Sequence, residues 1–335
     1  MLKQPRHYIG IVFIVLMGLL AACEPFAYNP TPVTVLITVP PTETLTPSPT
    51  VTPSITPTPT LTPTVFMPTA TPFPCDEDRG LFVDVDDNRS DNGNGENLRY
   101  RLYLPPCYQS TQKRFPIVYL LHGLSYREEQ WEDLGIDTAL DQGIRTGSLP
   151  PMILVMPYLG QLGQLNQFPP DPSYELFVLD ELMTDVERSF CTIENSQHRA
   201  IGGISRGGFL AYSIAMRNPD IFGIVGGHSA YFPPNANDIP PAFNPIELAL
   251  NDAFLQEVDL RMYLDNGASD SSASSQQLFS SRLTQRNIQH TYVVHPTGEH
   301  NNEYWSSHID EYLVFYGRNW ERDYGQLPNC ADPSP

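Results

Sequence analysis

Twelve residues constrain this chain more than any others: Arg199-Ala200-Ile201-Gly202-Gly203-Ile204-Ser205-Arg206-Gly207-Gly208-Phe209-Leu210. Ala200-Ile201 closes a short apolar run that reads as a strand, and Phe209 to Met216 reads as a helix stopped by Asn218-Pro219. Between them Gly203-Ile204-Ser205-Arg206-Gly207 forms a G-x-S-x-G pattern. By itself such a pattern can be an ordinary Gly-rich turn. Set between a strand and a helix, it matches a nucleophile elbow, in which the serine hydroxyl is held at the apex of a strained turn. Side chains two residues to either side would collide there, which is why small residues are required.

The rest of the large C-terminal part repeats the alternation of strand and helix. Residues 80–85 and 98–104 read as two strands joined by a turn. Ile117-Val118-Tyr119-Leu120-Leu121 is a continuous apolar run, the mark of a strand buried on both faces of a parallel sheet. Further strands are expected at 152–156, 221–225, 260–264 and 291–295. Helices are expected at 174–190, where Leu176, Leu179, Leu182, Met183, Val186 and Phe190 share one face, and near 303–320. This order predicts an α/β fold: one domain with a mostly parallel sheet and helices on both faces.

The N-terminal region has a different character. Lys3 and Arg6 precede an apolar run at 8–20 of signal-peptide length, and Leu20-Ala21-Ala22-Cys23 resembles a bacterial lipobox with Cys23 as the lipidated residue. Pro and Thr then dominate 29–74, a composition that builds an extended spacer and no core. At about 3.1 Å per residue such a spacer would reach roughly 140 Å. The expected organisation is a lipoprotein signal with its Cys at 1–23, a Pro/Thr-rich linker at 24–74 and one globular domain at 75–335. It implies export, as a cell-surface or periplasm-facing lipoprotein touching a bacterial membrane only through its lipid.

The formal net charge of −19 argues against nucleic acid and against adsorption to an anionic membrane surface. Beyond Cys23, the cysteines Cys75, Cys107, Cys191 and Cys330 form an even set in an exported chain, so two disulfides are expected. Three pairings are possible; Cys75–Cys330, tying the domain ends, with Cys107–Cys191 is the favoured one. The acidic stretch at 86–96 fails the EF-hand pattern, with Arg89 where Gly is needed and Gly95 where Glu is needed, and reads as a solvated hairpin turn. No C-x-x-C and no zinc-spaced His/Cys cluster is present, so no metal or organic cofactor is implied.

A serine nucleophile needs a base and an acid to orient that base. The strand at 260–264 ends in Asp265-Asn266-Gly267-Ala268-Ser269-Asp270, and the strand at 291–295 ends in Pro296-Thr297-Gly298-Glu299-His300. Carboxyl ends of parallel strands share one edge of the sheet, the edge where sites lie. His300 is preferred as base over His295 and His308, and Asp270 as acid over Asp265. His122-Gly123-Leu124 follows the strand at 117–121, where the Leu124 amide can serve an oxyanion hole together with that of Arg206; His122 itself reads as structural. The order Ser, Asp, His is that of α/β hydrolases.

These pieces resemble the esterase family that includes carbohydrate esterase family 1 feruloyl and acetylxylan esterases, S-formylglutathione hydrolases and mycolyltransferases. The likeness rests on Tyr103-Leu104-Pro105-Pro106-Cys107-Tyr108, Leu120-Leu121-His122-Gly123 with Trp131, and Ile201 to Gly208. It continues through Asn218-Pro219-Asp220-Ile221-Phe222 and Gly298-Glu299-His300 with Trp305. The resemblance implies an α/β-hydrolase fold and, through a Gly-x-x-Asp loop at Gly267-Ala268-Ser269-Asp270, Asp270 as acid. Arg206 stands where the family often has Met or Gln, and its guanidinium could meet a polar substrate group. The expected activity is a serine esterase acting on a small-molecule or polysaccharide ester, of feruloyl or acetyl type. Alternatives are an acyltransferase of the mycolyltransferase type and a non-catalytic surface binding protein. The segment 158–172 is expected to shape the pocket.

Overall fold

In a computed structural model of the protein, the structure describes residues 75–87, 98–233 and 237–334. The candidate leader, the lipobox Cys23, the Pro/Thr-rich spacer and most of the acidic stretch at 86–96 lie outside the described residues. Among the described residues no helix is long and apolar enough to cross a membrane.

The strands are β1 (Leu81–Asp87), β2 (Leu98–Leu104), β3 (Ile117–Leu121), β4 (Ile153–Pro157), β5 (Arg199–Ile204), β6 (Ile224–His228), β7 (Arg261–Gly267) and β8 (Thr291–His295). They form one sheet of order β1-β2-β4-β3-β5-β6-β7-β8. β1 and β2 pair antiparallel with each other, and β2 pairs antiparallel with β4. From β4 to β8 every pairing is parallel. Every residue of β3, β4 and β5 is buried, as a sheet covered on both faces requires. The period of two sorts their side chains. Ile117, Tyr119 and Leu121 enter one apolar cluster, while Val118 and Leu120 enter the other. Helices therefore cover both faces, and each fully buried aliphatic side chain contributes about 1.5–3 kcal/mol.

Three elements depart from the sequence expectation. β6 begins three residues later than the predicted 221–225, because Ile221 and Phe222 donate their amides to Asn218 O and form a turn. The strand instead continues through Gly226-Gly227, whose missing side chains hid it from an apolar-run reading. The helix at 174–189 contains a π-helical stretch at Phe177–Leu182. The predicted helix at 303–320 is two, Asn302–Ser307 and Ile309–Gly317, broken at His308 with φ −118° and ψ 7°.

The favoured disulfide pairing is overturned. The bonds are Cys75–Cys107 and Cys191–Cys330. The β1–β2 register, with Leu81 opposite Leu104, runs the chain before β1 alongside the chain after β2, which brings Cys75 to Cys107. The C-terminal tail lies against 112–115, with Lys113 bridged to Asn329 and the Cys330 amide donating to Gln112 O at 2.8 Å. Phe115 is bridged in turn to Thr192, so Cys330 arrives at Cys191. Both bonds lie at the edge where the parallel strands begin, since Tyr103 pairs with Leu154 near the start of β4 and Phe115 precedes β3.

Candidate active site

At the opposite edge the ends of β5, β6, β7 and β8 are held in register, with Ile204 opposite His228, His228 opposite Asp265, and Gly267 opposite His295. Ser205 follows β5 directly and has φ 53° and ψ −111°, a left-handed conformation costly for a residue with a side chain. The turn persists because its backbone is bonded on both sides. The Ser205 amide donates to His228 O at 3.0 Å, and Ser205 O accepts from Tyr231 and Phe209 amides. The glycines are required by close approach. A Cβ at Gly203 would lie 2.4 Å from the Gly207 carbonyl carbon, and one at Gly207 would lie 2.4 Å from Leu121 O.

Ser205 Oγ lies 2.9 Å from His300 Nε2, and His300 Nδ1 lies 2.9 Å from Asp270 Oδ1. A carboxylate only accepts, so Nδ1 carries the proton and Nε2 faces the serine hydroxyl with its lone pair. Burial would push the Asp270 carboxyl up. Hydrogen bonds from His300, Ser229 and Ser272 overcome that and hold it below the usual carboxylate range. Ser229 donates to Oδ2 at 2.5 Å, and Ser272 donates its amide and hydroxyl to Oδ1, each at 2.7 Å. Trp305 Nε1 donates to Ser229 Oγ at 2.8 Å, and the Trp305 ring stands edge-on to His300 with centroids 5.1 Å apart. An arrangement of this kind can draw a proton from a hydroxyl and stabilise the imidazolium that results.

The rival acid is committed elsewhere. Asp265 is fully buried; its Oδ1 accepts from His228 Nδ1 at 2.8 Å, and its Oδ2 accepts from Tyr304 and Tyr312 hydroxyls at 2.6 and 2.9 Å. His228 Nε2 pairs with the Tyr316 hydroxyl at 2.8 Å. Burial and the Asp265 charge push the Tyr312 and Tyr316 phenols well up, so they stay protonated as donors. The rival bases stand apart from Ser205: His295 faces Glu311, and His308 Nδ1 bonds Tyr304 O.

The loop after β3 is braced by His122. Its Nδ1 donates to Gly123 O at 2.7 Å, and its Nε2 accepts the Leu159 amide at 3.0 Å. Burial lowers its pKa to about 4, which keeps it neutral and able to do both. Because the C=O and N–H of one peptide point in opposite directions, fixing Gly123 O turns the Leu124 amide away from His122. Among the described residues the Leu124 and Arg206 amides donate to no protein acceptor; for Arg206 this follows from its position in the first turn of the helix Arg206–Ala215.

The sequence matches the protein family described as "Putative esterase" over residues 92–316. The chain belongs to this esterase family. One curated relative is the endo-1,4-beta-xylanase/feruloyl esterase of Xylanibacter ruminicola, 31% identical over 156 residues, which are 43% of this chain and 21% of that protein. The chain spans less than a third of the length of the first curated relatives it matches. Among solved structures, a ferulic acid esterase aligns with TM-score 0.64 at 24% identity, covering 72% of this chain and 99% of that one. The S-formylglutathione hydrolase of Staphylococcus aureus aligns with TM-score 0.60 at 19% identity, covering 71% and 98%. These structural likenesses show the α/β-hydrolase fold.

Two features of this esterase-family chain were not read from its sequence. The Arg206 guanidinium, open in the sequence to a polar substrate group, is engaged by the neighbouring loop. Nε donates to Gly163 O at 2.8 Å, Nη1 to Asn166 Oδ1 at 2.8 Å and Nη2 to Leu165 O at 2.7 Å. Ser229 and Ser272, which hold Asp270, also went unread. Ser229 follows a strand end, the position where such residues collect, and its φ of 48° marks it as constrained. Ser272 gives no comparable signal in the sequence.

Proposed function

We propose that this chain is an exported serine carboxylic ester hydrolase. The observation that carries the reading is the unbroken line from Ser205 through His300 to Asp270, with both links at 2.9 Å. Ser205 attacks the ester carbonyl while His300 takes its proton, and Asp270 fixes the imidazole tautomer. The Leu124 and Arg206 amides hold the developing oxyanion, each donor worth about 3–4 kcal/mol in enzymes where one has been removed. The alcohol leaves with the proton from His300. Water, activated by the same histidine, then releases the acyl group.

The substrate side is apolar. Leu124, Tyr126, Leu165 and Tyr231 are large exposed hydrophobic side chains on the loops around Ser205 and on the loop held by Arg206. Tyr126 stands edge-on to Trp305, which itself borders His300. Such a rim suits an ester with a flat or apolar acyl group, which agrees with the feruloyl esterase named among the relatives. The net charge of −19 disfavours a polyanionic polymer. A lipobox at Cys23, a Pro/Thr spacer and two disulfides support a domain working outside the cytoplasm on acylated polysaccharide, tethered by a lipid.

The test treats the protein and its Ser205→Ala variant with a fluorophosphonate probe, p-nitrophenyl acetate and methyl ferulate. Labelling and hydrolysis of both esters should occur in the wild type and vanish in a variant that keeps its circular dichroism spectrum. A folded wild type that neither labels nor hydrolyses would overturn the reading.

A further inference from the structure

We propose that His295, His308 and Glu311 form a binding site for a divalent metal ion of the zinc type, apart from the Ser205 line. His295 ends β8, His308 breaks the two C-terminal helices, and Glu311 lies in the first turn of Ile309–Gly317. One ligating atom from each lies within 4.8 Å of the others, and the two imidazole centroids are 3.9 Å apart. In sequence the three are separated by irregular gaps with no zinc-motif spacing, so only the fold brings them together.

Three details point to an ion in addition to mere proximity. First, His295 Nε2 is shielded from solvent and makes no hydrogen bond. It lies 3.2 Å from Glu311 Oε2 without the geometry of a bond. Two donors each about 2.0–2.1 Å from a tetrahedral ion lie about 3.3 Å apart, so this pair already has the spacing of one edge of such a site. Second, His308 Nδ1 donates to Tyr304 O at 2.7 Å, which leaves the lone pair on Nε2. Third, Glu311 Oε1 accepts the Tyr263 hydroxyl at 2.5 Å, which fixes the carboxylate and leaves Oε2 for a ligand. Outer partners of this sort orient the ligands of established metal sites.

Two imidazoles and one carboxylate favour zinc over magnesium or calcium, which take oxygen donors. The three side chains are half-buried, so a water can complete a four-coordinate shell. His295 and His308 bracket the segment that carries His300. The ion ties both ends of that segment together; it reaches no reacting atom, and its role is to position and stabilise.

The experiment strips the full chain with EDTA, returns Zn²⁺ alone, and measures bound metal after desalting, the unfolding temperature against Zn²⁺ concentration, and the visible spectrum with Co²⁺. The expected result is one ion per chain, a saturable rise in unfolding temperature and the strong absorption of four-coordinate Co²⁺. His308→Asn and Glu311→Gln should each weaken Zn²⁺ binding by more than about 100-fold, beyond the 10- to 100-fold typical of losing an outer partner. Glu311→Gln preserves shape, so it carries the test if a histidine variant fails to fold. No stoichiometric zinc in the wild type, or zinc retained equally by both variants, would overturn the site and leave a plain His295–Glu311 ion pair. An equal thermal shift with Mg²⁺ or Ca²⁺ would overturn the zinc-type assignment.

Discussion

Asp270→Asn and Asp265→Asn are near-isosteric changes five residues apart, and the structure expects them to fail in different ways. Asp270 Oδ1 faces His300 Nδ1 at 2.9 Å. An Asn there can present its NH₂ to the imidazole and favour the wrong tautomer, which in a serine protease lowers kcat about 10⁴-fold. That corresponds to about 5.5 kcal/mol in the barrier. Ser229 still holds the Asn oxygen in the Oδ2 position, while Ser272 loses its two bonds to Oδ1, so the fold should lose about 2–3 kcal/mol. Asp265 bonds no side chain that bonds the Ser205 hydroxyl, but it accepts from His228, Tyr304 and Tyr312 in the buried layer beneath. Asn keeps one acceptor oxygen for three donors, and each buried donor left without an acceptor costs about 1–3 kcal/mol, or about 2–6 kcal/mol for two. Against a total stability of about 5–15 kcal/mol, that is a large share. The assay pairs kcat for p-nitrophenyl acetate with urea unfolding midpoints. Asp270→Asn should be folded and nearly inactive, and Asp265→Asn should be active at low temperature with a much lower midpoint. A kcat within tenfold of wild type for Asp270→Asn, or a stable but inactive Asp265→Asn, would refute the assignment.

Three other perturbations follow from described contacts. His122 has a folded pKa near 4, below the ordinary value near 6.5, so the unfolded chain takes up a proton that the folded chain refuses as pH falls between them. Stability from this group is complete above pH 6.5 and declines toward pH 4 by about 3 kcal/mol; His122→Asn should flatten the unfolding midpoint across that window relative to wild type. Arg206→Leu keeps the backbone amide but removes three bonds to the 163–166 loop, so KM should rise severalfold while kcat changes little in steady-state kinetics. Opening Cys191–Cys330 by double Ser substitution releases a loop of 139 residues and should cost about 5 kcal/mol, against about 4 for the 32-residue Cys75–Cys107 loop, read from denaturant midpoints.

Much of the site was legible because its chemistry is tied to strand ends. Ser205, Asp270 and His300 each follow a strand with a strong apolar signature, and parallel topology alone brings such ends together. Both Asp265 and Asp270 follow the same strand, so the preference for Asp270 leaned on the Gly-x-x-Asp loop of the family resemblance. What separates them is three hydrogen-bond donors contributed by His228, Tyr304 and Tyr312, from one neighbouring strand and two distant helices. β6 was misplaced because Gly226 and Gly227 carry no apolar side chain to register. A buried Tyr316 hydroxyl lies where a Cβ on Gly226 would be, a tertiary reason that local sequence does not contain. The disulfide pairing was missed for a similar cause. It depends on where the tail lies, and that is fixed by backbone bridges at Lys113–Asn329 and Phe115–Thr192, which any side chain could make.

The two covalent staples give the domain a front and a back. Cys75, where the described chain begins, is bonded at the edge where the parallel strands start, and Ser205 opens at the edge where they end. The described chain therefore enters the domain at the edge opposite the serine. The full length of the central strands, β3 to β5, lies between that covalent staple and Ser205.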